Sequence, residues 1–441
     1  MPQIDHVRTD RLSRERIHGY SLRCGMPLFV LKKAGFSKTL ALISVNFGSI
    51  DSGGAGGRAP LPGLAHFLEH MLFKKRSHDI SNDFAMHGAS VNAGTDYVAT
   101  TFYFTTSGPL AESLRLLTRL VFEGSFEKEI VEKERLIITQ ELLMSEDDPA
   151  RKTYANLMDC VYHRHPARQD IAGTVDSVSR IDLPMLSRHH GEFYVPANTV
   201  AAVCGSVDIG EVHDLLDHAM SSVMRERSEG TANRRRISEP GSLFKEERRH
   251  RMETTRPRVL LGFKDSVGGT KGQDLVKRDI ATSILLDYLF GKGSRDALHL
   301  YDSGLIDDSF AFASICQDTF GLTIVGGECD EPDRLVESVT AVARGNLKAG
   351  IKRRRIEMLK RKYLGRFIGS FDSPEGCAFA IASGHFKGVG LFDFPRLLSG
   401  ITTRVVAERL EEHLVDKRPA VSIVLPKSEA RDVKTCAEPV A

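Results

Sequence analysis

The sequence predicts an α+β protein of two homologous domains, each a mainly antiparallel sheet with helices on one face. Three observations carry this expectation. A chain of 441 residues exceeds what one hydrophobic core supports. The order strand, helix, strand, strand, helix occurs twice, as in a duplicated unit. Between the copies runs a charged, turn-forming stretch with Arg234-Arg235-Arg236, Pro240-Gly241 and Arg248-Arg249-His250-Arg251, anchored only by Ile237, Leu243 and Phe244. It reads as an exposed linker, which sets the domains at 1–225 and 256–441 with residues 226–255 joining them.

In the first copy, Leu40-Ala41-Leu42-Ile43-Ser44-Val45-Asn46-Phe47 is a strand candidate, followed by a helix through His66. Strands near 89–91 and 97–105 come next, then a helix over 110–122. In the second copy, Arg258-Val259-Leu260-Leu261-Gly262-Phe263 is followed by a helix over about 279–290. Strands near 308–313 and 322–326 and a helix over 331–349 complete that plan. Each copy closes on a further strand, 200–204 and 420–425.

The stretch richest in chemistry is Gly63-Leu64-Ala65-His66-Phe67-Leu68-Glu69-His70-Met71-Leu72-Phe73, which contains His-x-x-Glu-His. On a helix, residues four apart share a face, so His66 and His70 can hold one metal ion. Glu69 then lies where its carboxylate reaches a water on that metal and can take its proton. Leu64, Phe67, Leu68, Met71 and Leu72 fill the rest of the circumference, so the helix is buried and its polar groups need partners. A hydrogen-bonded core histidine is the plainer reading, and a third ligand downstream is what separates the two.

One candidate follows on the helical segment 130–144, where Glu134 and Glu141, seven residues apart, share a face with Ile137 and Ile138. A carboxylate among aliphatic residues on an inward face costs several kcal/mol unless it is paired or ligates a cation. A solvated amphipathic face is the other reading, and it suits Glu129 and Glu132 better than Glu141.

Taken together, His66, Glu69, His70, Glu134 and Glu141 resemble the pattern of the pitrilysin/insulinase family of zinc metallopeptidases, His-x-x-Glu-His followed by Glu-x6-Glu. The chain is similar to the bacterial two-domain type related to the mitochondrial processing peptidase. Further blocks extend the likeness over nearly the whole chain: Ser90-Val91-Asn92-Ala93-Gly94-Thr95, Glu146-Asp147-Asp148-Pro149, Gly173-Thr174-Val175 and Phe193-Tyr194 with Pro196 and Asn198. The resemblance implies two domains closing like a clamp, with one zinc ion per chain held by His66, His70 and Glu141 in the first. It also implies Glu69 as general base, Glu134 as support behind a ligand, and Asn92 and Ala93 on a strand that pairs with extended substrate. The second domain carries no such signature. Active members often have there an Arg and a Tyr, in a stretch like Arg-x-x-x-Gly-Leu-x-Tyr, that bind substrate and stabilise the oxyanion. Here the segment reads Leu300-Tyr301-Asp302-Ser303-Gly304-Leu305-Ile306-Asp307-Asp308-Ser309-Phe310, with the Gly-Leu but neither the Arg nor the Tyr. Two functions are therefore expected of the resemblance: a zinc endopeptidase acting on peptides or unfolded segments, or the zinc-bearing or weakly active subunit of a peptidase paired with a homologous chain. A homodimer or a heterodimer with a family member is implied.

Composition narrows the rest. Lys plus Arg number 60 against 58 Asp plus Glu, so charge gives no case for a nucleic-acid or anionic-membrane partner. No apolar run reaches the length of a membrane span and Met1-Pro2-Gln3-Ile4-Asp5-His6 is no signal core, so a cytoplasmic location is expected. Seven scattered cysteines without Cys-x-x-Cys read as reduced thiols. The glycine-rich Ser52-Gly53-Gly54-Ala55-Gly56-Gly57-Arg58 lacks a phosphate-loop pattern and reads as a lead-in to the His66 helix. His163-Arg164-His165 and His189-His190 read as surface or hydrogen-bonding histidines rather than metal ligands.

Overall fold

The computed structural model describes residues 6–53, 61–75, 78–223 and 237–427. Residues 54–58 of the glycine-rich run, Arg234 to Arg236 and Cys436 lie outside the described residues. The first sheet is built from β1 (His6–Thr9), β2 (Arg16–Ser21), β3 (Pro27–Lys32), β4 (Thr39–Val45), β7 (Ala89–Thr95), β8 (Thr100–Thr106) and β9 (Thr199–Gly205). A short hairpin of β5 (Lys74–Lys75) and β6 (His78–Asp79) stands apart. The second sheet is built from β10 (Glu247–Met252), β11 (Arg258–Asp265), β12 (Ala311–Cys316), β13 (Gly321–Glu328) and β14 (Ala420–Pro426).

Strand order gives the duplication a form the sequence only outlined. The first sheet runs β1-β2-β3-β9-β4-β8-β7 and the second β10-β14-β11-β13-β12. In each, the last strand in sequence inserts parallel to the first of the common plan, β9 on β3 and β14 on β10, while the other pairs are antiparallel. The repeated unit thus begins one strand earlier than expected, at β3 and at β10. Residues 247–252, expected as exposed linker, are therefore a strand. Its residues Glu-Arg-Arg-His-Arg-Met carry no apolar alternation because it is an edge strand whose charges pair outward, Arg248 with Asp159 and Arg249 with Asp333.

Each sheet is covered on both faces, which explains why β4 and β9 are buried along their whole length. Ala41, Ile43, Val45, Ala201 and Val203 face the helices Leu64–Phe73, Leu110–Phe122 and Ile209–Val223. Leu40, Leu42, Val200, Ala202 and Cys204 face the other way, onto Cys377, Ala378, Ile381 and Ala382 of the helix Pro374–Lys387 from the second half. The exchange is reciprocal. Leu157, Met158 and Val161 of the helix Pro149–Val161 pack on Leu322, Ile324 and Ala420 of the second sheet. Gly262 on β11 makes room for this helix, since a Cβ there would stand 2.9 Å from Leu157 Cδ1. Helices of its own half thus cover one face of each sheet, as expected, and a helix of the other half covers the second.

The connector is also fastened. Glu239, expected in the linker, accepts backbone N–H bonds from His163, Arg164 and His165, each at 2.8 Å, and pairs with Lys264 Nζ at 2.7 Å. Lys264 donates further to the carbonyls of Val161 and Ser242. Burial alone would raise the Glu239 pKa, but Lys264 and the three N–H groups bring it down to about 2, from 4.5. Because the folded value lies below the unfolded one, this stabilisation is complete above about pH 4.5 and is lost as pH falls towards 2. Glu239→Ala is expected to destabilise by about 3–5 kcal/mol at pH 7 by stranding the buried Lys264 charge. Urea unfolding at pH 7 and pH 3 checks it, the deficit being smaller at pH 3.

Candidate metal centre

The helix Leu64–Phe73 is held in place by its apolar faces. Leu64, Ala65, Phe67, Leu68, Met71 and Leu72 are each at most 1% exposed. Its start is fixed by a backbone crossing. Gly63 (φ 88°) would bring a Cβ to 2.6 Å from the Ala172 carbonyl, and Gly173 (φ 83°) one to 2.6 Å from the Pro62 carbonyl. Only glycine fits either place. Thr174 then caps the helix Val175–Ser179 by accepting from the Ser177 N–H. This gives a physical reason for the Gly173-Thr174-Val175 block.

With those faces buried, His66, Glu69 and His70 point to one side. The imidazoles of His66 and His70 lie 4.7 Å apart, centroid to centroid. Across from them, on the helix Lys128–Glu146, Glu141 Oε2 is 3.7 Å from His70 Nε2, and Glu134 Oε2 is 3.4 Å from His70 Nδ1. One donor atom from each of His66, His70 and Glu141 lies within 4.8 Å of the others, close enough to share a metal ion. Two imidazole nitrogens and a carboxylate oxygen suit zinc, with room for a fourth ligand. The buried Nδ1 of His66 has no hydrogen-bond partner among the described residues. Burial, with the nearby His70, takes the His66 pKa down to about 4, so this ring is neutral and its lone pair free for a cation.

The carboxylates are placed differently. Glu69 is raised by burial, partly offset by Thr95, whose hydroxyl donates to Glu69 Oε2 at 2.6 Å. For His70, burial lowers the pKa, but its bond to Glu134 and the charges of Glu141 and Glu69 raise it on balance. For Glu134, burial raises the pKa, and the bonds to His70 and Lys74 more than reverse that. The Glu141 side chain is 48% exposed, more than an inward face implies. It sits at the solvent-facing rim of the cluster.

Asn92 and Ala93 lie on β7, the strand at the edge of the first sheet. Asn92 is exposed, and its Oδ1 accepts from the Ala93 N–H at 2.8 Å. A cavity of about 360 Å³ opens beside His66, between Thr95, Tyr97, Arg151, Tyr154 and Asp170. Arg151 is clamped by Asp170 through two bonds, and the Tyr97 and Tyr154 hydroxyls meet at 2.9 Å. Sequence reasoning gave none of these a role. Thr95 closes the Asn92 block and was findable there; Lys74 carried no signal. His189 and His190 are buried rather than on the surface, and bond the Met185 and Val121 carbonyls. His163 Nε2 meets Ser242 Oγ at 3.3 Å.

In the second half, aligning on Gly304-Leu305 puts Leu300 and Asp307 where the resembled pattern has Arg and Tyr. Leu300 is buried in the second core and Asp307 accepts from Arg256 at 2.6 Å. Neither offers a donor to a substrate oxyanion.

A buried His-x-x-Glu-His helix facing a glutamate helix, in the first of two like halves, defines the class of zinc metallopeptidases with the inverted motif. Comparison with known proteins gives the family. Residues 43–175 match the model of insulinase, peptidase family M16, and residues 180–363 that of the peptidase M16 inactive domain. The chain is 33% identical over 429 residues to the uncharacterized zinc protease YmfH of Bacillus subtilis, covering 94% of this chain and 98% of that one. A second B. subtilis zinc protease, YmxG, is 25% identical over 330 residues, 73% of this chain and 78% of the relative. Among solved structures, an M16-like peptidase from Alicyclobacillus acidocaldarius superposes with a TM-score of 0.89 at 31% identity, covering 94% and 99%. Pitrilysin superposes with a TM-score of 0.74 at 18% identity, covering 97% of this chain and 46% of pitrilysin, a likeness of fold. The chain belongs to peptidase family M16.

The glycine crossing makes a test of how the site is placed. Gly173→Ala is expected to cost about 1–3 kcal/mol, because it adds a positive-φ penalty to a clash with the Pro62 carbonyl. Gly191→Ala, in the helix Leu183–Phe193 with open space at its Cβ, is expected to be neutral or slightly stabilising. Urea denaturation of both variants measures the contrast.

Proposed function

We propose that this chain is a zinc-dependent metalloendopeptidase that cleaves peptides or unfolded segments. The observation that carries the reading is the convergence of His66, His70 and Glu141 within 4.8 Å beside Glu69. In this reading His66, His70 and Glu141 hold one zinc ion, and Glu134 fixes the His70 ring by bonding Nδ1. Zinc, when bound, supplies the Lewis acidity that activates water and polarises the scissile carbonyl. Glu69 takes the proton of the attacking water and returns it to the leaving amine. Its buried carboxylate, with a raised pKa, suits a group that must both accept and release a proton, and Thr95 holds it in line. The free edge of β7 at Asn92 and Ala93 pairs with an extended backbone, so recognition is largely independent of sequence. The first domain is placed at 1–225, the second, expected from 256, starts earlier, at β10 (Glu247–Met252), and the chain acts in the cytoplasm; no described helix is long and apolar enough to cross a membrane.

A second reading rests on Leu300 and Asp307. With no Arg or Tyr there, the chain acts as the zinc-bearing half of a dimer in which a homologous partner supplies the substrate-binding donors. One missing oxyanion donor typically costs about 10²–10³ in turnover.

Purified protein with quantified zinc, incubated with a mixed peptide pool, separates the readings. Chelator-sensitive cleavage, abolished in Glu69→Gln with zinc retained, is the expected result. One equivalent of zinc without cleavage moves the assignment to the dimer; no zinc in wild type refutes both. Thr95→Val is expected to move the acid limb of the kcat/KM profile to higher pH, since Glu69 loses the bond that lowers its pKa.

A further inference from the structure

We propose that Lys74 is a positioning residue for the metal site, the middle of a chain Asp79–Lys74–Glu134–His70; this rests on the zinc reading above. Lys74 is the first residue past the motif helix, and its backbone N–H closes that helix on the Met71 carbonyl. It pairs with Asp79 in the β5–β6 hairpin. Its Nζ lies 2.9 Å from Asp79 Oδ2 and 3.3 Å from Glu134 Oε1. The other oxygen of Glu134, Oε2, faces His70 Nδ1 at 3.4 Å. Each carboxylate oxygen therefore has one partner, and the carboxylate plane is fixed from both sides. Glu134 is only 6% exposed, so water cannot take the place of a lost partner without rearrangement. Asp79 is anchored in turn, since its Oδ1 accepts from the Ser81 N–H at the start of the helix Ile80–Met86.

The opposite sign of effect is what makes the proposal testable. If Lys74 only balanced charge, its removal would leave Glu69, Glu134 and Glu141 with more uncompensated negative charge and would strengthen cation binding. If it orients Glu134, and through it the His70 ring, its removal weakens binding, as loss of a group behind a metal ligand does by about 10–100-fold.

The experiment is zinc affinity of the metal-free full-length chain, read by competition with a chelator, alongside thermal unfolding of the same metal-free samples. Lys74→Met is expected to weaken zinc binding about tenfold or more. Lys74→Arg, which keeps a donor to both carboxylates, is expected to stay within about threefold of wild type. Asp79→Asn, still able to cap its helix, is expected to weaken binding by less than Lys74→Met. Unchanged or tighter binding in Lys74→Met overturns the proposal, even if the unfolding temperature falls. Should Lys74→Met not fold, wild-type affinity in Asp79→Asn overturns it. Wild-type binding insensitive to His70→Ala overturns the zinc reading itself, which keeps the two failures distinct.

Discussion

The rest of the first half follows from one constraint: a helix apolar around most of its circumference must be buried, and it carries three ionisable side chains. Leu64, Ala65, Phe67, Leu68, Met71 and Leu72 take the core contacts and leave His66, Glu69 and His70 to a single side. Buried polar groups without partners cost too much to persist. The neighbouring elements accordingly supply partners in turn: Thr95 from β7 for Glu69, Glu134 for His70, Lys74 for Glu134. Lys74 faces two carboxylates, Asp79 and Glu134, while Glu69 and Glu141 lie on the side of the two imidazoles.

The second half solves the same problem within the protein. Its buried Asp265 is held by Arg278 and by Arg409, with Arg409 also bonded to Thr282. Burial would raise the Asp265 pKa, but Arg278 and Arg409 hold it well below the usual carboxylate range. His413 is wholly buried, bonds Thr323 at 2.8 Å and is brought down to about 3, chiefly by burial, so it is neutral. Two sheets of one topology thus surround two kinds of polar centre, one closed by arginines and one left open to a cation and to solvent. The reciprocal helices, Pro149–Val161 on the second sheet and Pro374–Lys387 on the first, join the halves through apolar contact. The helix Pro149–Val161 also walls the cavity beside His66, so the contact between halves borders the candidate site.

Much of this was legible in residue patterns. The motif helix, the helix Leu110–Phe122 and the central strands β4 and β11 are long, strongly patterned and flanked by turns. The elements missed were those whose pattern is set by a distant partner. β10 is an edge strand recruited by β14, which arrives at the far end of the chain, and its charges mask it. β1, β2 and β3 went unread in the same way, since β3 joins the sheet through β9. The helices Pro149–Val161 and Pro374–Lys387 cover sheets of the opposite half, and no local signal says which sheet a helix will find.

By itself the sequence determined the spacing of His66, Glu69 and His70 and of Glu134 and Glu141, because helical periodicity turns sequence spacing into a shared face. It determined the duplication for a similar reason, since each copy repeats its own local pattern. Only the tertiary structure decided that Glu141 stands at an open rim while Glu134 is enclosed, that Thr95 serves Glu69, and that Lys74 and Asp79 stand behind Glu134. These depend on how the helix Lys128–Glu146, β7 and the β5–β6 hairpin settle against the motif helix. Burial and hydrogen bonding between elements are properties of packing, which is fixed only when separate segments of the chain meet.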